Sequence, residues 1–238
     1  MLLDPLTTSL LAQTSDPNVV TYFLQANFAG KVIILLLVAS SMVAWTIMIG
    51  KYLDLKRMQQ LNYAFENRLK DMPQLLDPGQ PAKVNTSIPY SFLFGEAASA
   101  YYRVGAGESA RPASDSLKMR IGHVENALQR AVARKCTEYE SKMVFLATIV
   151  TGAPFMGLLG TVWGVMDSFG AVALRASATL QMLAPGVSGA LMTTVAGLLV
   201  AIPSVFGYNI LLTKTKKMMT ELENYASHLA DRIELENI

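Results

Sequence analysis

TGAPFMGLLGTVWGVMDSFG (residues 151–170) and APGVSGALMTTVAGLLVAIPSVFGY (residues 184–208) decide how this chain folds. Together they read as a hairpin of two membrane-length helices with no charged side chain at bilayer depth. Met143–Met166 holds no Asp, Glu, Lys or Arg and stops at Asp167; a second such run begins after Arg175 and lasts to Thr213. Each exceeds the ~20 apolar residues that a spanning helix needs. In place of charge stand small and hydroxylated residues: Gly157, Gly160, Thr161 and Gly164 in the first helix, Thr193, Thr194, Gly197 and Ala201 in the second. A membrane protein that transports ions usually keeps an acid or base inside the bilayer. This hairpin instead offers a polar, closely packable surface for a charge supplied from elsewhere.

Working outward, the 238 residues are 52% hydrophobic and 16% charged, well below the ~25% charged share of soluble domains. The polar residues are therefore segregated. A third apolar run, Val32–Ile49, lies between Lys31 and Lys51. The expected fold is an all-α membrane protein: three transmembrane helices with long cytoplasmic helical extensions and no separate soluble domain. Basic residues near the span ends set the orientation. Lys51, Lys56 and Arg57, then Arg134, Lys135 and Lys142, then Lys214, Lys216 and Lys217 flank one side; Lys31 and Arg175 flank the other. The N-terminus should face out and the C-terminus the cytoplasm. The implied organisation is an outer segment 1–30, a span 31–50, a cytoplasmic helical loop 51–142, a span 143–169, an outer loop 170–185, a span 186–212 and a cytoplasmic helix 213–238. The N-terminus lacks a basic n-region, and its apolar core arrives only after Lys31, so it reads as an uncleaved signal anchor. The net charge of +2 comes from basic residues interspersed with acids, which gives nucleic-acid binding no support. Cys136 is the one cysteine, so no intramolecular disulfide or cysteine-based metal site is available.

Asn18–Phe28 reads as a short helix with Tyr22, Phe23 and Phe28 at the outer interface. Ser40, Ser41 and Trp45 read as packing and anchoring residues of the first span. Lys51–Met72 continues that helix, with Leu53, Leu61 and Leu69 recurring among charges, until Pro73, Pro78, Gly79 and Pro81 form a linker. Tyr90–Val104 reads as a packed helix, ended by Gly105, Gly107 and Pro112, with Ser114 and Asp115 as caps of the next. Leu117, Ile121, Val124, Leu128, Val132 and Tyr139 follow helical spacing, and nothing stops that helix before the membrane, so one rod is expected from Ser116 to Phe169. Met218, Leu222, Tyr225, Leu229 and Ile233 make a further stripe. Burying several such stripes points to self-association.

Gly157, Gly160, Thr161, Gly164 and Ser168 share one face of the second span, and Gly186, Ala190, Thr193 or Thr194, Gly197, Ala201 and Ser204 share one face of the third. Small residues let helix backbones approach closely in lipid, which is the plain structural role of Gly157, Gly160, Gly164, Gly186, Gly197 and Ala201. Thr161 lies eight residues before Phe169 and Thr194 eight after Gly186, so both sit roughly 12 Å in from the outer surface at ~1.5 Å per residue. Such hydroxyls, each donor and acceptor, can orient a carboxylate; alternatively each bonds its own helix at i−4. Pro154 and Pro203 are candidate kinks. His123 and His228 read as surface or packing residues, and Asp167 and Arg175 as solvated. With no Ser-His-Asp set, metal-ligand cluster or phosphate loop, neither an enzyme nor a cofactor or metal site is expected.

The run Ala153–Gly164, together with Ala184-Pro185-Gly186 through Ala190-Leu191, Thr194, Gly197-Leu198, Ala201-Ile202-Pro203 and Tyr208-Asn209, resembles the signature of the TolQ/ExbB/MotA proton-channel family. Ala178-Thr179-Leu180-Gln181-Met182 is more similar to the TolQ branch than to ExbB. The resemblance is dense over Thr151–Asn209. It implies a bacterial inner-membrane protein of three spans, N-terminus periplasmic and C-terminus cytoplasmic, forming a homopentamer. That ring would enclose a dimer of a single-span TolR-like or ExbD-like partner whose aspartate carries the proton, with a TolA-like or TonB-like protein beyond it. Thr161 and Thr194 match the family's two pore threonines, and Thr193 beside them is a third candidate for lining the proton path. The chain departs from its TolQ and ExbB relatives at Gly189, where they carry a glutamate one turn from Thr194; Ser188 or Thr193 offers partial compensation.

Two readings from different classes follow. In the first, the chain is a stator subunit of a proton-driven motor, TolQ-like and coupling proton-motive force to work on the envelope, or ExbB-like and energising TonB-dependent outer-membrane uptake. In the second, it is a non-conducting membrane scaffold for an envelope complex, which needs the small-residue packing but not the hydroxyls. A self-sufficient ion channel is disfavoured by the charge-free spans.

Overall fold

The computed structural model describes residues 19–72, 75–76, 84–105, 113–173 and 179–236. Among these residues there are six α-helices and no strand: α1 Val19–Gln25, α2 Phe28–Lys70, α3 Pro89–Gly105, α4 Ala113–Glu140, α5 Met143–Ala173 and α6 Leu180–Leu235. Three helical stretches are long and apolar enough to cross a membrane, in Phe28–Lys70, Leu117–Ala173 and Gln181–Leu235. The Pro78–Pro81 linker, Gly107, Pro112 and Arg175 lie outside the described residues, as does the segment before Val19.

Three differences from the sequence expectations concern helix ends. The rod expected from Ser116 to Phe169 is broken at Ser141–Lys142, where Lys142 has φ 67°. The Ser141 hydroxyl donates to Glu138 O at 2.6 Å, taking up a carbonyl at the end of α4, and the left-handed residue that follows terminates the helix as a C′ residue does. At the other end α6 begins at Leu180, inside the stretch read as the 170–185 loop, and takes Pro185 within its second turn. Pro185 there forfeits only one bond of the ladder, close to an end whose first donors are unpaired in any helix. Helix α4 starts at Ala113, so Ser114 and Asp115 fall in its first turn instead of capping it.

The chain divides into two compact units, one of residues up to Thr46 with Phe145–Gly207, the other of Ile47–Val144 with Tyr208–Ile238. In the first unit, Ile33 and Leu37 of α2 meet Ala153 of α5 and Val200 and Ala201 of α6, with Ile149, Met156 and Ala196 packed against them. Large apolar side chains point the other way: Leu35, Leu36, Phe155, Leu158, Leu159, Trp163, Leu199 and Phe206 are exposed. Small residues inside and large ones outside suit a surface that faces lipid or other apolar protein. Trp45 is exposed, and the Ser40 hydroxyl donates to Leu36 O of its own helix at 2.8 Å.

In the second unit the amphipathic stripes find partners within the chain. Ile121, Val124, Leu128 and Tyr139 of α4 are buried, as are Met218, Leu222, Tyr225, Leu229 and Ile233 of α6. On α2 the buried face is Met48, Leu55, Asn62 and Leu69, a seven-residue repeat, while Leu53 is exposed. These stripes are buried within the unit, so they do not by themselves require a second copy to cover them. Tyr90 and Tyr225 stack with ring centroids 3.8 Å apart and 7° between planes, and the Tyr90 amide donates to Asn62 Oδ1 at 3.2 Å. Arg232 closes the end of α2, donating to Leu69 O at 2.9 Å and Met72 O at 2.6 Å. Its Nε donates to Glu236 Oε1 at 3.1 Å, and Glu236 Oε2 accepts the Leu75 amide at 2.7 Å. One side chain thus serves carbonyls that a helix end leaves without partners. Burial pushes the Tyr90 phenol up to about 12 and raises those of Tyr139 and Tyr225 as well.

Candidate functional site

The site is built where α5 and α6 run antiparallel through the first unit, and small residues at successive crossings set their separation. A methyl on Gly197 would lie 2.7 Å from Ala153 O and 3.1 Å from Gly157 Cα. One on Gly157 would lie 2.8 Å from Thr193 O, and one on Gly164 2.6 Å from Ala190 Cβ. A methyl on Gly160 would overlap Thr193, 2.6 Å from its Cβ, and one on Gly186 would collide with the Ser168 hydroxyl. Real Cβ atoms do not approach this closely, so these glycines fix how near the backbones come. Ala201 is buried in the adjoining apolar cluster. Pro154 and Pro203 sit inside unbroken helices, where each removes one amide donor from the ladder.

That close approach brings three hydroxyls together. Thr161 and Thr194 are in hydrogen-bonding contact through their Oγ1 atoms. Thr193 is fully buried, and its hydroxyl lies between the helices, 2.9 Å from Gly157 O and 2.7 Å from Ala190 O. Thr161 Oγ1 reaches Gly157 O of its own helix at 3.2 Å and Ala190 O across the interface at 3.3 Å. Thr194 Oγ1 reaches Gly157 O at 3.2 Å. All three hydroxyls converge on the Gly157 carbonyl. Thr161 thus makes the own-helix bond at i−4 and also pairs with Thr194 across the interface. Thr161 and Thr194 are half-buried, so each keeps a side toward the surface.

No Asp, Glu, Lys, Arg or His takes part in the hydrogen bonds of this cluster. No group of His, Cys, Asp or Glu suited to a metal ion occurs among the described residues. The cluster is therefore neutral, with rotatable donors that can turn either a proton or a lone pair toward a visiting group.

A feature that the sequence reading missed lies beyond Thr161 on α5. Asn27 caps α2, its Oδ1 accepting the Gly30 amide at 2.8 Å, and its Nδ2 donates to Asp167 Oδ2 at 3.3 Å. Asn27 before Phe28-Ala29-Gly30 is a legible N-cap, but its partner 140 residues away is not. Asp167, read as simply solvated, is exposed yet tied to the start of α2. It shares a pocket of about 220 Å³ with Asn27, Ser168, Gly164, Met182 and Gly186.

Comparison with known proteins places this geometry in context. A family model described as the MotA/TolQ/ExbB proton channel family matches residues 109–224. The Tol-Pal system protein TolQ of Haemophilus influenzae is 30% identical over 218 residues, covering 89% of this chain and 92% of that protein. TolQ of Pseudomonas aeruginosa is 30% identical over 89% of this chain and 93% of its own length. The biopolymer transport protein ExbB of Xanthomonas campestris pv. campestris is 30% identical over 84% of this chain and 79% of its own.

Proposed function

The chain belongs to the MotA/TolQ/ExbB proton channel family, and on that premise we propose that it is the channel subunit of a TolQ-type, proton-driven envelope motor in which Thr161 and Thr194 line the proton path. The observation that carries this reading is the convergence of three hydroxyls on Gly157 O in a neutral cluster, with Thr161 and Thr194 half-buried. In this reading the chain is a multi-pass inner-membrane protein, N-terminus periplasmic and C-terminus cytoplasmic, with spans at 31–50, 143–169 and 186–212. Five copies enclose a dimer of a single-span TolR-like partner whose aspartate supplies the missing charge, and a TolA-like protein receives the work.

Chemically, the threonines serve the partner's carboxylate. An ionised carboxylate within lipid costs several kcal/mol to desolvate. Each hydrogen bond to a charged group returns about 1.5–3 kcal/mol, so a hydroxyl pair holds the anion at that depth until a proton neutralises it. The neutral acid is then free to leave, which couples protonation to movement. Thr193, buried and bonded to both helices, positions the other two. The glycines hold the helices at the separation that this requires. An ExbB-type assignment, with an ExbD-like partner and a TonB-like recipient, shares every one of these elements, and the ExbB relatives at 30% identity keep it as the second reading.

The test is proton flux into liposomes holding the chain alone, the chain with its single-span partner, and the pair carrying Thr161→Ala or Thr194→Ala. Flux should need the partner and fall roughly 10- to 100-fold with either substitution, the loss of one charge-assisted bond of about 1.5–3 kcal/mol, while the complex still assembles. Undiminished flux without the hydroxyls would refute the site. Absence of flux from an intact complex that still supports envelope integrity would favour the scaffold.

A further inference from the structure

Among the described residues of the first unit, Asp167 is the one carboxylate, and the position it occupies is not that of a merely solvated side chain. It lines the 220 Å³ pocket with Asn27, Ser168 and Gly186, a space with room for several waters and with polar partners to hold them. The Asn27 amide, bonded to Asp167 Oδ2, fixes the carboxylate at the pocket wall. The Ser168 hydroxyl donates to Gly164 O at 2.7 Å, and Gly164 packs directly on Ala190. The Ala190 carbonyl is in turn an acceptor for both Thr161 and Thr193. Gly164, which lines the pocket, and Ala190, whose carbonyl serves the cluster, thus link pocket and hydroxyls through one close backbone contact.

We propose that Asp167 is the proton-collecting group on the outer side of this path. Resting on the channel reading above, the step is a simple transfer. The carboxylate takes a proton from outer water and becomes the neutral acid. It then releases that proton through pocket water past the Gly164–Ala190 contact to the threonine cluster, and returns to carboxylate. No oxidant, reductant or leaving group takes part. The titratable groups on the segments that carry Asn27 are Tyr22 and Lys31. The described parts of α5 and α6 within this unit offer none besides Asp167 itself.

The experiment uses the full-length chain reconstituted with a single-span partner bearing one aspartate in its span, with proton flux recorded at a series of outer pH values. Asp167→Asn, Asp167→Glu and Thr161→Ala are compared with the unaltered chain, and assembly is verified by native mass spectrometry. Asp167→Asn is isosteric and keeps an oxygen for the Asn27 amide, so it should assemble normally. It should lose about tenfold in flux and flatten the dependence on outer pH, whereas Asp167→Glu should stay within about threefold. Full flux at every pH from Asp167→Asn, with Thr161→Ala inactive, would overturn this proposal and leave the channel reading standing. Equal losses in the Asn and Glu variants would also overturn it, by assigning Asp167 a purely structural role. Normal flux from Thr161→Ala would remove the channel reading and this proposal with it.

Discussion

Replacing Gly160 by alanine tests whether helix separation, not only hydroxyl chemistry, makes the site. The added methyl would sit 2.6 Å from Thr193 Cβ and 2.9 Å from its Cγ2, and Thr193 is fully buried with nowhere to turn. Overpacking of this kind costs about 1–3 kcal/mol. Displacing the Thr193 hydroxyl also weakens its bonds to Gly157 O and Ala190 O, each worth about 0.6 kcal/mol in a membrane protein. Against this, alanine is about 1 kcal/mol better than glycine within a helix, so the net loss should be roughly 1–3 kcal/mol. Gly152, on the same helix, provides the control, since a methyl there meets nothing within 4 Å. Gly152→Ala should be neutral or stabilising by up to about 1 kcal/mol. The assay is reversible unfolding of the purified protein in mixed micelles, followed by far-ultraviolet circular dichroism. The two variants should differ by about 1–4 kcal/mol, with Gly160→Ala the weaker. Equal stability would mean that the α5–α6 separation is not fixed at this crossing, and the account of the glycines would fail.

Arg232→Ala should cost about 2–4 kcal/mol, because Leu69 O, Met72 O and Glu236 lose their partner together; hydrogen exchange should accelerate selectively at residues 69–72, 75 and 76, and unchanged protection there would deny the clamp. Alkaline pH should destabilise the second unit. Its buried phenols ionise only above the usual value of about 10, near 12 for Tyr90 and higher for Tyr139 and Tyr225, so the unfolded chain releases protons first as pH rises. The stability is complete below pH 10 and should fall by about 4 kcal/mol by pH 11 for the three phenols together, a loss that Tyr139→Phe with Tyr225→Phe should reduce in thermal melts.

Much of the first unit was legible because its determinants are local. Charge-free length defines a span, and glycine at helical spacing defines the face that packs. Counting eight residues from Phe169 and eight from Gly186 puts Thr161 and Thr194 at one depth, and although both helices run on past those marks, the structure brings the two into contact. What stayed hidden depends on distant partners or on backbone conformation. The Asn27–Asp167 bond joins residues that no periodicity relates. Lys142 takes a left-handed conformation that glycine usually signals, so nothing in Glu140-Ser141-Lys142 marked the end of α4. On α2 the leucine spacing mixed two faces, since Leu53 is exposed while Leu69 is buried together with Asn62. A buried asparagine interrupts an apolar stripe in sequence, yet it is satisfied in the fold by the Tyr90 amide.

The hydroxyl cluster gains its versatility from an imbalance. Three threonines bring three protons, one per hydroxyl. The acceptors within reach are more numerous: Gly157 O, Ala190 O and the three hydroxyl oxygens themselves. Thr161 alone lies within bonding range of all four of its neighbouring acceptors but can donate to one at a time. Which bonds form can therefore change by rotation of a hydroxyl, with no movement of backbone or of packed side chains. Turned inward, the hydroxyl protons satisfy the two carbonyls and leave lone pairs free for a protonated acid. Turned outward, they would meet the carboxylate of the proposed partner. A site of fixed charge would bind one of these states and expel the other, and a purely apolar face would favour only the neutral one. A neutral cluster rich in acceptors can hold both at similar cost, which is what a group that must be loaded and unloaded with protons in turn requires. The glycines complete the argument. Only where two backbones approach this closely can the carbonyl of one helix serve hydroxyls from both.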